Sequence, residues 1–306
     1  MDVMIVAHHE RAEAASLAAQ AAVWLAVDGH TAWMPPEDAE ALGLERLAAD
    51  RHASEATMVL SLGGDGTILR TFDLLDGAAV PVIGVNVGML GYLTEVEPPG
   101  MITALERFAA GEYEIERRMM LAVQLRRSPI DGPTVDGPTV DGRPVGTAAV
   151  EVVDPATLSW RALNEAVIEK NESGHTVRLH VEIDGAPFTT YAADGLIIAT
   201  PTGSTAYSLS VRGPVVSPTH RAMVLTPVSP HMLFDRSLVL DPGELVVVEV
   251  LGHRSADLSV DGRRVASLAE GDTVGCLAAD EEAMFVRFGR RRFHQILKAK
   301  FGLADR

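Results

Sequence analysis

The 306-residue chain is long enough for two domains with sizeable cores, and its 47% hydrophobic and 22% charged content is that of an ordinary globular protein. Its 42 acidic against 26 basic residues set a formal net charge of −16, which speaks against broad contact with nucleic acid or anionic membranes, and no apolar run reaches membrane-spanning length. The lone Cys276 excludes an intrachain disulfide and a cysteine metal cluster; with no basic and apolar leader ahead of the first strand, a cytoplasmic setting is expected.

In chain order, Asp2 to Val6 is a short apolar strand ending at His8-His9, and the Ala-rich stretch Glu10 to Val27 is a strong helix former stopped by Gly29. Thr31 to Met34 reads as a second short strand, Thr57 to Leu62 as a buried one, and Val80 to Val85 as another. Between the last two, Ile68, Leu69, Phe72 and Leu75 share one helical face, which completes a βαβ unit. A further helix is expected over Gly100 to Ala110. Short strands alternating with helices indicate an α/β layer with parallel pairing, here over residues 1–115.

Beyond Gly111 helical periodicity fades. Met119 to Leu125 is strand-like, and Val177, Leu179, Val181 and Ile183 alternate with polar residues up to a turn at Asp184-Gly185. Short runs at 238–240, 245–251, 258–260 and 265–268 continue the pattern, so 116–281 is expected to be a β-rich domain. Within it, Asp131-Gly132-Pro133-Thr134-Val135 recurs at 136–140, and 128–157 reads as a low-complexity insertion with too little bulk for a core. Arg292 to Phe301 is helical again, with Phe293, Ile296, Leu297 and Phe301 on one side, so 282–306 is expected to return to the first domain.

Two stretches carry chemistry. Leu62-Gly63-Gly64-Asp65-Gly66-Thr67 places three glycines and one carboxylate on a strand-to-helix turn. Glycines let a ligand approach the backbone, and the helix N-terminus behind offers N–H groups and a positive dipole end, an arrangement suited to phosphate. Asp65 in its middle is a metal-side group, a base or a partner for a hydroxyl; the plainer alternative is a helix cap. The loop Asn86 to Thr94, punctuated by Gly88 and Gly91, follows a strand end, where open α/β sheets bind ligands. In the second stretch, Asp194-Gly195 leads through an apolar strand into residues 200–210, where Thr200, Thr202, Ser204, Thr205, Tyr207, Ser208 and Ser210 crowd seven hydroxyls into eleven positions. Uncharged hydroxyls suit ribose and phosphate oxygens, and Tyr207 could stack on a base; a solvated turn is the alternative. Asn164-Glu165 interrupts a strand-like run, either to read a purine edge or to face solvent.

Other chemistries are set aside. There is no Walker P-loop, no G-x-G-x-x-G after the first strand, no protein-kinase signature and no G-x-S-x-G elbow. His175 and His180 are expected on opposite faces of one strand, a poor metal pair.

Together, Gly63-Gly64-Asp65-Gly66-Thr67, Asn164-Glu165, and Asp194-Gly195 with the block from Thr200 to Ser210 resemble the NAD kinases. The resemblance extends to Gly88, Gly91 and Leu93-Thr94, to Arg118-Met119-Met120-Leu121, and to Leu225-Thr226-Pro227 with Pro230-His231, nearly the whole chain outside 128–157. The glycine-rich turn alone is shared with diacylglycerol-type lipid kinases and phosphofructokinases; joined to the 200–210 block it is far more specific.

The resemblance implies transfer of a phosphoryl group from ATP or polyphosphate to the 2′-hydroxyl of the adenosine ribose of NAD, giving NADP, with Mg²⁺ or another divalent cation. Asp65 takes the role of proton acceptor, and Gly63, Gly64, Gly66 and Thr67 that of phosphate contacts. Asp65, Gly66, Arg70, Asn164, Glu165, His175, Asp194, Thr205, Ala206, Tyr207, Ser208, Leu209, Ser210 and Arg263 fall at dinucleotide-contact positions. The family fold is an α/β domain plus a β-sandwich-like domain, assembled as a homodimer or homotetramer.

Three departures stand out. Val211-Arg212-Gly213-Pro214 replaces a common Ala-Gly-Gly-Pro, Arg263 stands where Gln is frequent, and Ala192-Ala193 leave space where some relatives carry Arg, a feature that accompanies use of NADH. Two competing readings are a lipid or sugar kinase of the same superfamily, against which the 200–210 block argues, and a catalytically silent dinucleotide sensor, against which Asp65, Asn164 and Glu165 argue.

Overall fold

The computed structural model describes residues 1–88, 91–128, 139–140, 143–144, 157–289 and 293–303. Its first part comprises β1 (Asp2–Ala7), α1 (Ala12–Val27), β2 (Thr31–Trp33), α2 (Pro36–Ala41), β3 (Met58–Gly63), α3 (Asp65–Leu75), β4 (Val82–Asn86) and α4 (Met101–Ala109). β1 pairs in parallel with β2 and β3, and β3 with β4. β1, β3 and β4 are mostly apolar because both their faces are covered. Val3, Ile5, Leu60 and Ile83 pack with Leu17 and Leu25 of α1 and Leu105 of α4, while Met4, Val6, Val59 and Val82 pack with Ile68, Phe72 and Leu75 of α3.

The strand order β4-β3-β1-β2 reverses after β1. The chain leaves β1 for β2 on one side and returns to β3 on the other, so the loops after β1 and β3 diverge. Open α/β sheets form their ligand crevice at such a switch.

β5 (Glu114–Arg126) opens the β-rich part. Most of the expected 128–157 insertion lies outside the described residues, within which β6 (Thr139–Val140) pairs with β7 (Arg143–Pro144). There follow β8 (Thr157–Ala162), β9 (Glu165–Lys170), β10 (Val177–Ile183), β11 (Ala186–Ala193), β12 (Gly195–Ala199), the one-turn α5 (Tyr207–Ser210) and β13 (Met223–Val228). Then come β14 (Leu238–Leu240), β15 (Val246–Leu251), β16 (Ala256–Val260), β17 (Arg263–Leu268), β18 (Thr273–Arg287) and α6 (Phe293–Lys300). An antiparallel sheet in the order β14-β13-β12-β9-β16-β17 faces the run β11-β10-β15-β18. Leu121, Val123, Ile168, Leu179, Tyr191, Leu196 and Leu225 lie in the core between the two layers.

β18 was not anticipated as one element. Its first part pairs with β15 and β5; past a register shift between Ala278 and Glu282 it continues along β5 and lies parallel to β4 at Phe285. The expected boundaries near 115 and 281 thus fall at the start of β5 and inside that shift. α6 does return to the first part: Phe293 and Ile296 line a small cavity with Tyr92 and Thr94, and the Lys300 Nζ sits 3.8 Å from the Tyr92 ring. Phe301, expected on the inner side of this helix, is instead half exposed at its end.

Candidate active site

β3 delivers the glycine turn as a fully buried strand, and α3 begins at Asp65. The three glycines do different work. A Cβ on Gly63 would lie 2.0 Å from Thr67 Oγ1, so Gly63 lets the first helical turn fold back on the strand. Cβ atoms on Gly64 and Gly66 would meet nothing within 4 Å, so there the backbone stands open to a ligand. Thr67 and Ile68 donate the first helical bonds, to the Gly64 carbonyl at 3.0 and 3.2 Å, which leaves the Asp65 and Gly66 amides ahead of the hydrogen-bond ladder.

Gly64, not Asp65, is the N-cap residue of α3. The two carboxylate oxygens of Asp65 accept the Tyr92 and Leu93 amides at 2.9 and 3.0 Å. A Cβ on Gly91 would lie 2.2 Å from Asp65 Oδ1, so the loop after β4 closes on the carboxylate only because residue 91 is glycine. The capping alternative is thereby replaced by a clamp that aims the carboxylate across the turn. Neither Tyr92 nor Leu93 was readable as a partner, since any residue supplies an amide.

A cavity of about 520 Å³ opens at the switch between β1 and β3, lined by His8, His9, Glu10 and Arg11 on one side and by Gly64, Gly66, Thr67 and Arg70 on the other. Arg11 donates to the Val87 carbonyl and Arg70 grips the buried Asp38 with both terminal nitrogens. The nearly buried Arg118 pairs with Glu116 at 2.8 Å and lies over the Phe285 ring. Burial, with the Arg287 charge, lowers its pKa to about 10, a fall that the carboxylates of Glu116 and Asp65 oppose.

The second constellation is built around Asp261. Its carboxylate accepts the Leu163, Asn164 and Glu165 amides at 2.8, 2.7 and 3.1 Å. Asp261 and Gly262 form a two-residue hairpin turn with φ of 49° and 77°, the left-handed pair that Asp-Gly supplies most readily. The Asp-Gly dipeptide was the only signal of this role. Burial, and the Asp261 charge, push the Glu165 pKa up to about 8 against a hydrogen bond from the Tyr207 backbone, and Glu165 Oε2 is buried without a partner.

The 200–210 block lies directly against this pair. Thr200 donates its amide to the Asn164 carbonyl at 2.8 Å and its hydroxyl to the Leu163 carbonyl at 2.6 Å. Gly203 packs so closely that a Cβ would sit 2.0 Å from the Asn164 oxygen. The hydroxyls expected to meet a ligand are largely committed elsewhere. Ser204 bonds the Pro201 and Val216 backbone, Thr205 donates to the Thr202 carbonyl, and Ser208 meets Thr226. Such side-chain-to-backbone bonds shape the loop itself. Thr202 Oγ1 is buried and unpartnered, Ala206 and Leu209 are half-buried, and Tyr207 and Ser210 are exposed. The Tyr207 phenol is raised by burial and then by the charges of Glu169, Asp194 and Glu165, so the surroundings of this ring are acidic.

The remaining expected contacts are placed as follows. Asp194 pairs with Lys170. Arg263 pairs with Asp73 and lines a cavity of about 440 Å³ with Gly66, Arg70 and Asp261, so it stands between the two constellations. His175 is exposed in the segment before β10, not on the strand with His180, so the opposite-face reading does not apply. Arg212 has φ of 68°, the left-handed region that favours glycine, which gives a physical reason for the glycine usual there.

A glycine turn at an α/β switch point, facing a β-sandwich that offers an orphaned carboxylate, defines a nucleotide-handling phosphotransferase architecture. Comparison with protein families agrees: residues 3–113 match the ATP-NAD kinase N-terminal domain and residues 163–288 the ATP-NAD kinase C-terminal domain. An NAD kinase of Heliobacterium modesticaldum is 39% identical over 244 residues, covering 79% of this chain and 77% of that protein. An NAD kinase of Geotalea daltonii is 33% identical over 285 residues, covering 92% of both. The chain belongs to the NAD kinase family. Among solved structures, yeast NADH kinase complexed with NADH superposes with a TM-score of 0.82 at 21% identity, covering 100% of this chain and 89% of that one. An Archaeoglobus fulgidus NAD kinase in complex with ATP does so with a TM-score of 0.70 at 20% identity over the full length of both. At those identities the likeness is one of fold.

Proposed function

We propose that the chain makes NADP by a single phosphoryl transfer in which Asp65 is the proton acceptor and ATP the donor. The 2′-oxygen of the adenosine ribose bonds to the γ-phosphorus, the bond from that phosphorus to the β–γ bridging oxygen breaks, ADP leaves, and the hydroxyl proton passes to Asp65. The observation that carries this reading is the clamped Asp65 carboxylate beside the open backbone of Gly64 and Gly66. A loose transition state needs positioning and charge neutralisation, and the helix N-terminus of α3 is suited to both.

In this reading Gly63, Gly64, Gly66 and Thr67 form the phosphate turn, and Asn164 and Glu165 read the adenine. Asp194, the segment from Thr205 to Ser210, Arg70, His175 and Arg263 contact the rest of the dinucleotide. ATP as donor is supported by the Archaeoglobus neighbour and use of NADH by the yeast one; inorganic polyphosphate offers the same phosphate end. Among the described residues no group of three or more His, Cys, Asp or Glu forms a metal cage. A divalent cation would therefore arrive on the donor phosphates. A two-domain division at about 115 and 281, a homodimer or homotetramer and a cytoplasmic setting complete the proposal.

The test incubates the protein with NAD, Mg²⁺ and ATP and reads NADP with an NADP-specific dehydrogenase. NADP formed by the wild type and lost in an Asp65→Asn variant of unchanged melting temperature supports the reading. Equal rates in the two would remove Asp65 from the mechanism.

A further inference from the structure

Asp38, on α2, matched no motif, yet it is completely buried. A buried carboxylate is costly unless fully paired. Asp38 collects the Ala7 amide at 3.1 Å, the His9 Nε2 at 3.0 Å, and both terminal nitrogens of Arg70, one of them at 2.9 Å. These partners come from the end of β1, the turn after it and the second turn of α3, which are three walls of the switch-point crevice.

The pairing does more than fasten α2 to the sheet, for which the Ala7 amide would suffice. The Arg70 and His9 side chains remain 30% and 38% exposed while Asp38 is fully hidden, so each turns one edge to the carboxylate and another outward. Two of the five guanidinium N–H groups of Arg70 are used, and the planar fork keeps its other donors for a second acceptor. Arg70 and His9 both line the 520 Å³ cavity that the open glycine backbone faces, and Arg11 lines it too. The cavity thus gathers, fixed from behind, the free guanidinium N–H groups of Arg70 and the second ring nitrogen of His9, which donates once the ring carries its second proton.

We propose that Asp38 is a positioning residue that presets the crevice between the His8–Arg11 turn and the Gly64–Thr67 turn, holding His9 for the phosphoanhydride chain of the donor and Arg70 for the dinucleotide beside it. The inference rests on the kinase reading for its substrate and names His9 as a donor-side contact and Asp38 as its support. Fixed charges and donors bind a polyanion without reorganising, which is where preorganisation has its effect.

The experiment measures KM for ATP at saturating NAD and KM for NAD at saturating ATP in wild type, His9→Ala, Asp38→Asn and the double variant. Loss of one charge-assisted bond predicts a rise of about tenfold in KM for ATP in His9→Ala, with KM for NAD and the melting temperature unchanged. Asp38→Asn, which keeps the shape, is expected to raise KM for ATP by about tenfold or more. Adding His9→Ala to it should then change nothing further, because His9 is already released. A His9→Ala variant with wild-type KM for ATP, or an equal rise in KM for NAD, overturns the proposal, as do additive effects in the double variant. Repeating the titrations with inorganic polyphosphate separates the two sources of the phosphate chain. Calorimetry with inorganic tripolyphosphate tests the His9 contact without turnover: weaker binding to His9→Ala than to wild type supports it even if NADP never forms, and equal binding overturns it.

Discussion

The crevice around Gly64–Thr67 and the wall around Glu165 face one reaction with opposite chemistry. The first is rich in donors: open backbone at Gly64 and Gly66, with Arg11, Arg70 and His9 around it. The second is rich in acceptors: an unpartnered Glu165 oxygen, and Glu169 and Asp194 acting on the Tyr207 phenol. Donors suit phosphate oxygens, while carboxylates repel them and suit hydroxyls and amino groups. In the reading proposed above, the difference divides the substrates: phosphate chain to the α/β side, nucleoside to the β side. It also explains how so acidic a chain handles polyanions, since the charge that matters is local.

The largest expected effect comes from the carboxylate within the donor-rich turn. Asp65→Asn should lower kcat by roughly 10²–10⁴-fold, the usual range for a general base, with little change in melting temperature. A drop below tenfold would mean the carboxylate only orients. Next, Gly91→Ala attacks the clamp without touching Asp65. Its methyl would fall 2.2 Å from Oδ1, and a displacement near 1 Å is expected to reduce kcat by about 10²-fold. An unaltered kcat would show that the Tyr92 and Leu93 amides do not set the carboxylate.

On the acceptor side the signature is pH. Glu165 titrates near 8 folded against 4.5 in the unfolded chain. Below the lower value both states are protonated and nothing is lost. As pH rises the unfolded state ionises first, so stability falls from about 4.5 until the folded carboxyl ionises near 8. The loss is on the order of a few kcal/mol. Glu165→Gln should flatten this decline and melt higher than wild type at pH 8 without ligand; parallel profiles would place Glu165 in an ordinary environment. Ser204→Ala should destabilise by about 1–3 kcal/mol in chemical denaturation, because the hydroxyl joins Pro201 to Val216 inside the loop. The smallest effect is Arg212→Gly, which relieves a left-handed backbone and should add about 1 kcal/mol.

The sequence showed one of these regions better than the other. β1, β3, α3 and β4 were readable because strands buried on both faces are apolar without interruption and α3 has one apolar face. Periodicity also found β10 and its Asp184-Gly185 turn. The strand β18 was missed because its alternation breaks at Asp280-Glu281-Glu282, where its register against β5 shifts and its neighbours change. Within the site, Asp65 and the glycines announced themselves, but their different tasks did not, since only the structure reveals what a Cβ would strike. Hydroxyl crowding at 200–210 marked a block that lies beside Asn164 and Glu165, but most of those hydroxyls build the loop. Asp38 was hidden altogether, and Asp261 showed only as half of an Asp-Gly turn. A carboxylate that serves backbone amides or distant side chains has no local pattern around it.

The course of β18 has a consequence for anyone wishing to take this protein apart. Although the family is described by two successive domains, β18 runs through one continuous sheet, pairing with β15 in the β-rich part and reaching the α/β layer at the edge of β4. A fragment ending near residue 115 would leave that edge bare, a template for intermolecular strand addition. Split reporters, fusions and fragment crystallography of this enzyme are therefore best designed in the surface turns, such as Asp184-Gly185, with both ends of the long strand retained.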